Sequence, residues 1–153
     1  MPILNLKIPP VLLVIIFATL MWLASTALPQ LQLPNTLKLI TFAALTITGA
    51  LITLAGVLSF RQANTTVNPT TPDAASSLVT TGIYRYTRNP MYVGFLLFLI
   101  GWGLYLSSLY ALALTAGFIG YMNRFQIKPE EQALESVFGA EVTSYKQRVR
   151  RWL

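Results

Sequence analysis

Two short stretches hold most of the side chains in this chain that could do chemistry. One runs from Tyr84 to Tyr92, where Tyr84, Arg85, Tyr86, Arg88, Asn89 and Tyr92 crowd the mouth of a long apolar run. The other is Pro129-Glu130-Glu131, just beyond the last apolar run. An arginine beside an amide at a helix mouth can hold a carboxylate through charge-assisted hydrogen bonds. Neighbouring glutamates can hold hydroxyls, an amine or a positive centre. A zwitterionic ligand with an amino-acid end and a ribose would fit the two stretches together. Each also has a plainer reading. Asn89 is a good N-cap and Pro90 suits a first helical position, while Glu130 and Glu131 suit the positive end of a helix dipole. The plainer readings leave the excess of tyrosine and arginine unexplained, although tyrosine is ordinary at a membrane interface.

Other chemistries are excluded by composition. The chain has no cysteine and no histidine, so thiol nucleophiles, imidazole acid–base catalysis, disulfides and Cys/His zinc sites are absent. Only five carboxylates remain, and no metal site is expected. The net charge is +6, but the basic residues sit at the boundaries of apolar runs. That placement points to anionic lipid headgroups and not to nucleic acid.

The elements that must position these residues follow from hydropathy. Of 153 residues, 54% are hydrophobic and 10% charged, against about 25% charged in a soluble domain. Uncharged apolar runs of about 20 residues read as membrane-spanning helices, and four are expected, at about 10–28, 37–60, 90–106 and 109–124. The first is longer than a signal peptide's core and is followed by others. Asn35 or Thr36 is placed to cap the second. The third and fourth are joined only by Ser107-Ser108 and neighbouring residues, which makes a tight helical hairpin. Gly94, Gly101, Gly103, Gly117 and Gly120 suit close helix packing. The expected fold is all-α: a polytopic membrane bundle forming one domain over residues 1–153.

Charge sets the expected orientation. With four spans, both termini and the polar loop 61–89 share one side. That side would hold every lysine and arginine except Lys38, so the positive-inside rule makes it cytoplasmic. A C-terminal helix is expected over 129–151, with Leu134, Phe138, Val142, Tyr145, Val149 and Trp152 on one face. Gly139 is a possible interruption. Its basic residues would meet lipid headgroups, with Trp152 at the interface.

The residues also carry a resemblance. "SLVTTGIYRYTRNPMYVG" followed by "EEQALESVFGAEVTSYKQRV" resembles the isoprenylcysteine carboxyl methyltransferase family and, more broadly, the membrane phospholipid methyltransferases. Their pattern is L-V-x-x-G-x-Y, R-H-P-x-Y, E-E-x-x-L, F-G and Y-K-x-R-V. The match covers roughly Ser76 to Val149, and the first two spans match in hydropathy only.

The resemblance implies a methyltransferase that binds S-adenosylmethionine at the cytoplasmic ends of the last spans and acts on a lipophilic acceptor. The cofactor wall it implies is Ser76, Ser77, Leu78, Val79, Tyr84, Arg88, Asn89, Pro90, Met91 and Tyr92, with Glu130 and Glu131 facing it. The family histidine is Asn89 here. The substrate-contacting arginine of eukaryotic members falls at Gln126, with Arg124 nearby, so these two are the candidate substrate contacts and the substrate does not carry over. Two rival readings stand beside this one. Some sterol reductases share a similar stretch and use a nicotinamide cofactor, and a non-catalytic scaffold could keep the same fold.

Overall fold

The structure is a computed structural model describing residues 6–65 and 75–153, so the centre of the polar loop, 66–74, lies outside the described residues. Among the described residues every regular element is helical. Helix α1 is Pro10–Ala27, α2 Asn35–Gln62, α3 Pro90–Tyr105, α4 Leu109–Tyr121, α5 Lys128–Phe138 and α6 Ala140–Arg148. A 3-10 turn, Gly82–Arg85, precedes α3, and a π-helical segment, Met122–Ile127, joins α4 to α5.

Proline placement sets the first two helices. Pro10 opens α1, where its missing N–H costs nothing. Pro34 holds the N-cap position of α2, with no side-chain cap bond. The expected capping by Asn35 or Thr36 is therefore not found: both already lie inside the helix, which starts before 37 and runs past 60. Helices α1 and α2 are long and apolar enough to cross a membrane. Most of their residues face outward instead of into a protein core, with Leu, Ile and Val side chains such as Val11, Ile15, Ile40, Ile47 and Leu51 exposed. At 1.5 Å per residue α2 extends about 42 Å. Helix α3 is apolar but shorter.

Helix α3 is the hub. It lies against α2 so closely that a Cβ on Gly49 would sit 2.6 Å from the Gly94 carbonyl oxygen. On its other side Leu99 joins Leu13 and Met21 of α1 and Phe118 of α4 in one buried cluster. The Trp102 indole N–H donates to the Ala18 carbonyl at 3.1 Å. Of the expected packing glycines, Gly94, Gly101, Gly103 and Gly117 meet neighbouring helices, but Gly120 meets nothing within 4 Å.

The chain from α4 onward differs from the expected break at 124. The helix continues through the π-helical segment into α5. Pro129 explains why. A proline cannot bond to the carbonyl four residues back and collides with it in a regular helix. That carbonyl, on Phe125, instead accepts from the Leu6 N–H at 3.1 Å, and the widened turn makes room for the ring.

The single tail helix expected over 129–151 is replaced by two. Gly139, at φ 55°, breaks it in a backbone region that favours glycine. Residues after Arg148 leave the helix, with Val149 extended, and cross back as a strap. Val142 and Tyr145 are buried, and the Trp152 N–H donates to Asn123 Oδ1 at 3.0 Å. The tail's apolar face therefore meets the protein, and the half-buried Trp152 packs on the main cluster.

The two ends of the bundle are distinct. The Leu31 N–H donates to the Ser107 carbonyl at 2.7 Å, tying the α1–α2 connection to the α3–α4 turn. A cavity lined by apolar, aromatic and charged side chains lies at the opposite end.

Candidate functional site

Three segments converge on that cavity. The end of α2 brings Phe60, and the segment from Ser77 through the 3-10 turn to the start of α3 brings Leu78, Val79, Tyr84, Arg88, Asn89, Met91 and Tyr92. The tail helices bring Glu130, Glu131, Leu134, Val142, Tyr145 and Lys146. The Phe60 and Tyr84 rings meet edge-on, centroids 5.3 Å apart, and the Tyr145 hydroxyl donates to the Tyr84 carbonyl at 2.7 Å. Burial raises the Tyr84 phenol's pKa, with the Glu130 charge adding to the effect. Burial also raises that of Tyr145, opposed by Arg88. Both phenols stay neutral.

The electrostatic centre is Glu131. Arg88 Nη2 lies 3.1 Å from Glu131 Oε1, each side chain only 12% exposed. Arg151 reaches the same carboxylate with two prongs, Nε to Oε1 at 3.1 Å and Nη2 to Oε2 at 2.7 Å. Lys146 stands 4.0 Å from Oε2 and pairs with Glu135 at 2.7 Å. Arg88 is thus held by one nitrogen, while its Nε and Nη1 are buried and have no hydrogen-bond partner among the described residues. Buried guanidinium nitrogens are costly to leave unpaired, and Arg88 is one of the residues that line the cavity.

Glu130 lies on the same wall in a different state. Its Oε2 accepts from the Tyr92 hydroxyl at 3.0 Å, which in turn receives the Gln126 amide at 3.4 Å. Burial pushes the Glu130 pKa up to about 7; the Tyr92 hydrogen bond opposes this and the Glu131 charge adds to it. The cavity therefore offers a fixed cation at Arg88 and a carboxyl that ionises near neutrality.

Asn89 departs from its expected capping role. It occupies the N-cap position of α3 without a side-chain cap bond. Its amide donates instead to the Arg151 carbonyl at 2.8 Å, and Thr87 Oγ1 accepts from the Asn89 N–H at 3.1 Å.

The structure brings together Ser77, Leu78, Val79, Tyr84, Arg88, Asn89, Met91, Tyr92, Glu130 and Glu131. It leaves four expected residues, Ser76, Pro90, Arg124 and Gln126, off the cavity wall. Ser76 is exposed and bonds to the end of α2, its Oγ donating to the Asn64 carbonyl at 3.1 Å. Pro90 is buried against the α2 backbone, its Cγ 3.1 Å from where a Gly56 Cβ would stand. Arg124 is exposed. Gln126 is buried behind Tyr92. Sequence reasoning passed over Phe60, Tyr145, Lys146 and Arg151. The helical spacing of Val142 and Tyr145 signalled an apolar face but not what that face would cover.

Fold and site together define an all-helical, membrane-type protein with a charged cavity at one end of its bundle. A profile of the phospholipid methyltransferase family matches residues 37–141, more than half of the chain, and the protein belongs to that family. It is a membrane methyltransferase by this membership, and the family generally uses S-adenosylmethionine. The chain is also 49% identical over 63 residues to an uncharacterised protein of Haemophilus influenzae, a stretch covering 41% of this chain and all of that protein.

Proposed function

We propose that this protein is a multi-pass membrane methyltransferase that binds S-adenosylmethionine in the cavity and methylates a lipophilic, membrane-partitioned acceptor. The observation that carries the reading is Arg88, with two buried nitrogens unpartnered among the described residues, on a cavity that Glu130 also lines. The donor set fits the cofactor: a guanidinium for its carboxylate, a carboxyl for its positive charge, and apolar and aromatic walls at Phe60, Leu78, Val79 and Leu134 for its base. When bound, S-adenosylmethionine supplies a methyl group already activated by its sulfonium.

The protein's part is then positioning and exclusion of water, which a chain without histidine or cysteine can perform. Arg88 fixes the carboxylate end. Tyr92 holds the Glu130 carboxyl, and Gln126 holds the Tyr92 hydroxyl, so the negative side of the cavity has a set direction. Tyr84 and Tyr145 close the wall without adding charge. All four apolar helices cross the bilayer, with both termini and the cavity on the cytoplasmic side. Exposed Arg148 and Arg150 lie near anionic headgroups, beside the mouth that receives the acceptor from the membrane.

Radiolabelled S-adenosylmethionine offered to detergent-purified protein tests the reading. We expect saturable binding, displaced by S-adenosylhomocysteine, and transfer of label into the lipid extract when native membranes are supplied. Binding of a nicotinamide dinucleotide instead would make the protein a reductase. Binding of neither would leave a scaffold.

A further inference from the structure

The last four residues lie beyond both the family match, which ends at 141, and the stretch that carries the resemblance. They nevertheless bond to three residues at the α3 mouth. The Arg150 carbonyl accepts from the Arg88 N–H at 3.0 Å. The Arg151 carbonyl accepts from Asn89 Nδ2 at 2.8 Å and from Thr87 Oγ1 at 3.4 Å. Three consecutive residues at the mouth are thus tied to two consecutive residues of the strap.

The Arg151 side chain completes the arrangement. Its fork takes both Glu131 oxygens, the geometry in which an arginine binds a carboxylate most strongly. Arg88 then reaches only Glu131 Oε1, through one nitrogen, and its Nε and Nη1 remain over for the cavity. Remove Arg151 and both Glu131 oxygens become available to Arg88. A two-pronged Arg88–Glu131 pair would consume the nitrogens that otherwise have no partner among the described residues. We infer that Arg151 is a positioning residue: by occupying Glu131 it keeps the Arg88 guanidinium free to receive a ligand carboxylate.

This rests on the proposed cofactor, and the test separates the two. Two probes are compared by calorimetry on the full-length protein in detergent: S-adenosylmethionine and its decarboxylated form, which keeps the adenosine, sulfonium and amine. The wild-type protein should bind the first more tightly. Arg151→Ala should lower affinity for S-adenosylmethionine about tenfold, the scale of one lost hydrogen bond to a charged group, and leave affinity for the decarboxylated form unchanged. Arg151→Lys keeps the charge without the fork, and should show an intermediate loss confined to the same ligand. An equal loss for both probes in either variant would make Arg151 a general structural tie and overturn the inference. So would wild-type affinity for S-adenosylmethionine in Arg151→Ala. A wild-type protein that binds neither probe would instead remove the cofactor assignment itself.

Discussion

Glu130 is the side chain whose charge depends most on conditions near neutrality. Its pKa of about 7, against an ordinary 4.5, comes first from burial. The sign for folding is fixed by which state holds more protons. Between about pH 4.5 and 7 the unfolded chain ionises this group while the native state keeps it protonated, so stability falls as pH rises and levels off above 7. The sign for a cationic ligand is the reverse, because the ionised carboxyl binds it better. Affinity for S-adenosylmethionine should therefore rise from about pH 6 to 8. Glu130→Gln should flatten both the melting profile and the affinity profile. Glu135→Gln, whose native carboxylate sits on Lys146, should retain both. If the glutamine variant at 130 kept the wild-type profile, the titrating group would lie elsewhere. That Glu130 would share a site with the tyrosine-rich stretch was implied by the family resemblance, and both line the cavity. That Glu131 would anchor Arg88 and Arg151 was not legible, because the Asn89–Arg151 bond joins residues 62 apart and no local pattern encodes it.

At the scale of elements, hydropathy located the helices to within a few residues, because an apolar run has few alternatives in lipid. Ends and interruptions were less legible. Pro129 looked like a helix start, yet the chain carries its helix through it, since Leu6 takes the carbonyl that the proline strands. The tail's apolar face was visible as a periodicity, but periodicity does not say whether that face meets lipid or protein. The same holds for the glycines. A Cβ on Gly94 would run into the Thr53 side chain and the Gly49 backbone, whereas one on Gly120 would meet nothing. Gly94→Ala should force α2 from α3 and cost about 1–3 kcal/mol, the usual range for overpacking. Gly120→Ala should leave stability unchanged or raise it by up to about 1 kcal/mol through helix propensity. Thermal melting in detergent compares the two directly, and equal effects would show that the α2–α3 contact is not tight.

At the scale of the whole molecule, the two ends of the bundle differ in charge. The bond from Leu31 to Ser107 puts the α1–α2 connection and the α3–α4 turn at one end, with Lys38 close by at the start of α2. The remaining cations described above lie toward the cavity end, and under the positive-inside rule that asymmetry is the ground for proposing a cytoplasmic cavity. A chain without native cysteine permits a clean labelling test, provided the probes sit where a reagent can reach. Ser108 is unsuitable. It is fully buried and its side chain accepts from the Ala111 N–H to cap α4, so a cysteine there would be hidden and would loosen the helix. Thr36 and Ser144 are exposed and lie toward opposite ends. In spheroplasts treated with a membrane-impermeant maleimide, Thr36→Cys should label at once and Ser144→Cys only after the membrane is opened. The reverse pattern would turn the molecule over while leaving the bundle intact. Immediate labelling at both positions would mean that α1 to α4 do not alternate across the bilayer, and the multi-pass reading would fall.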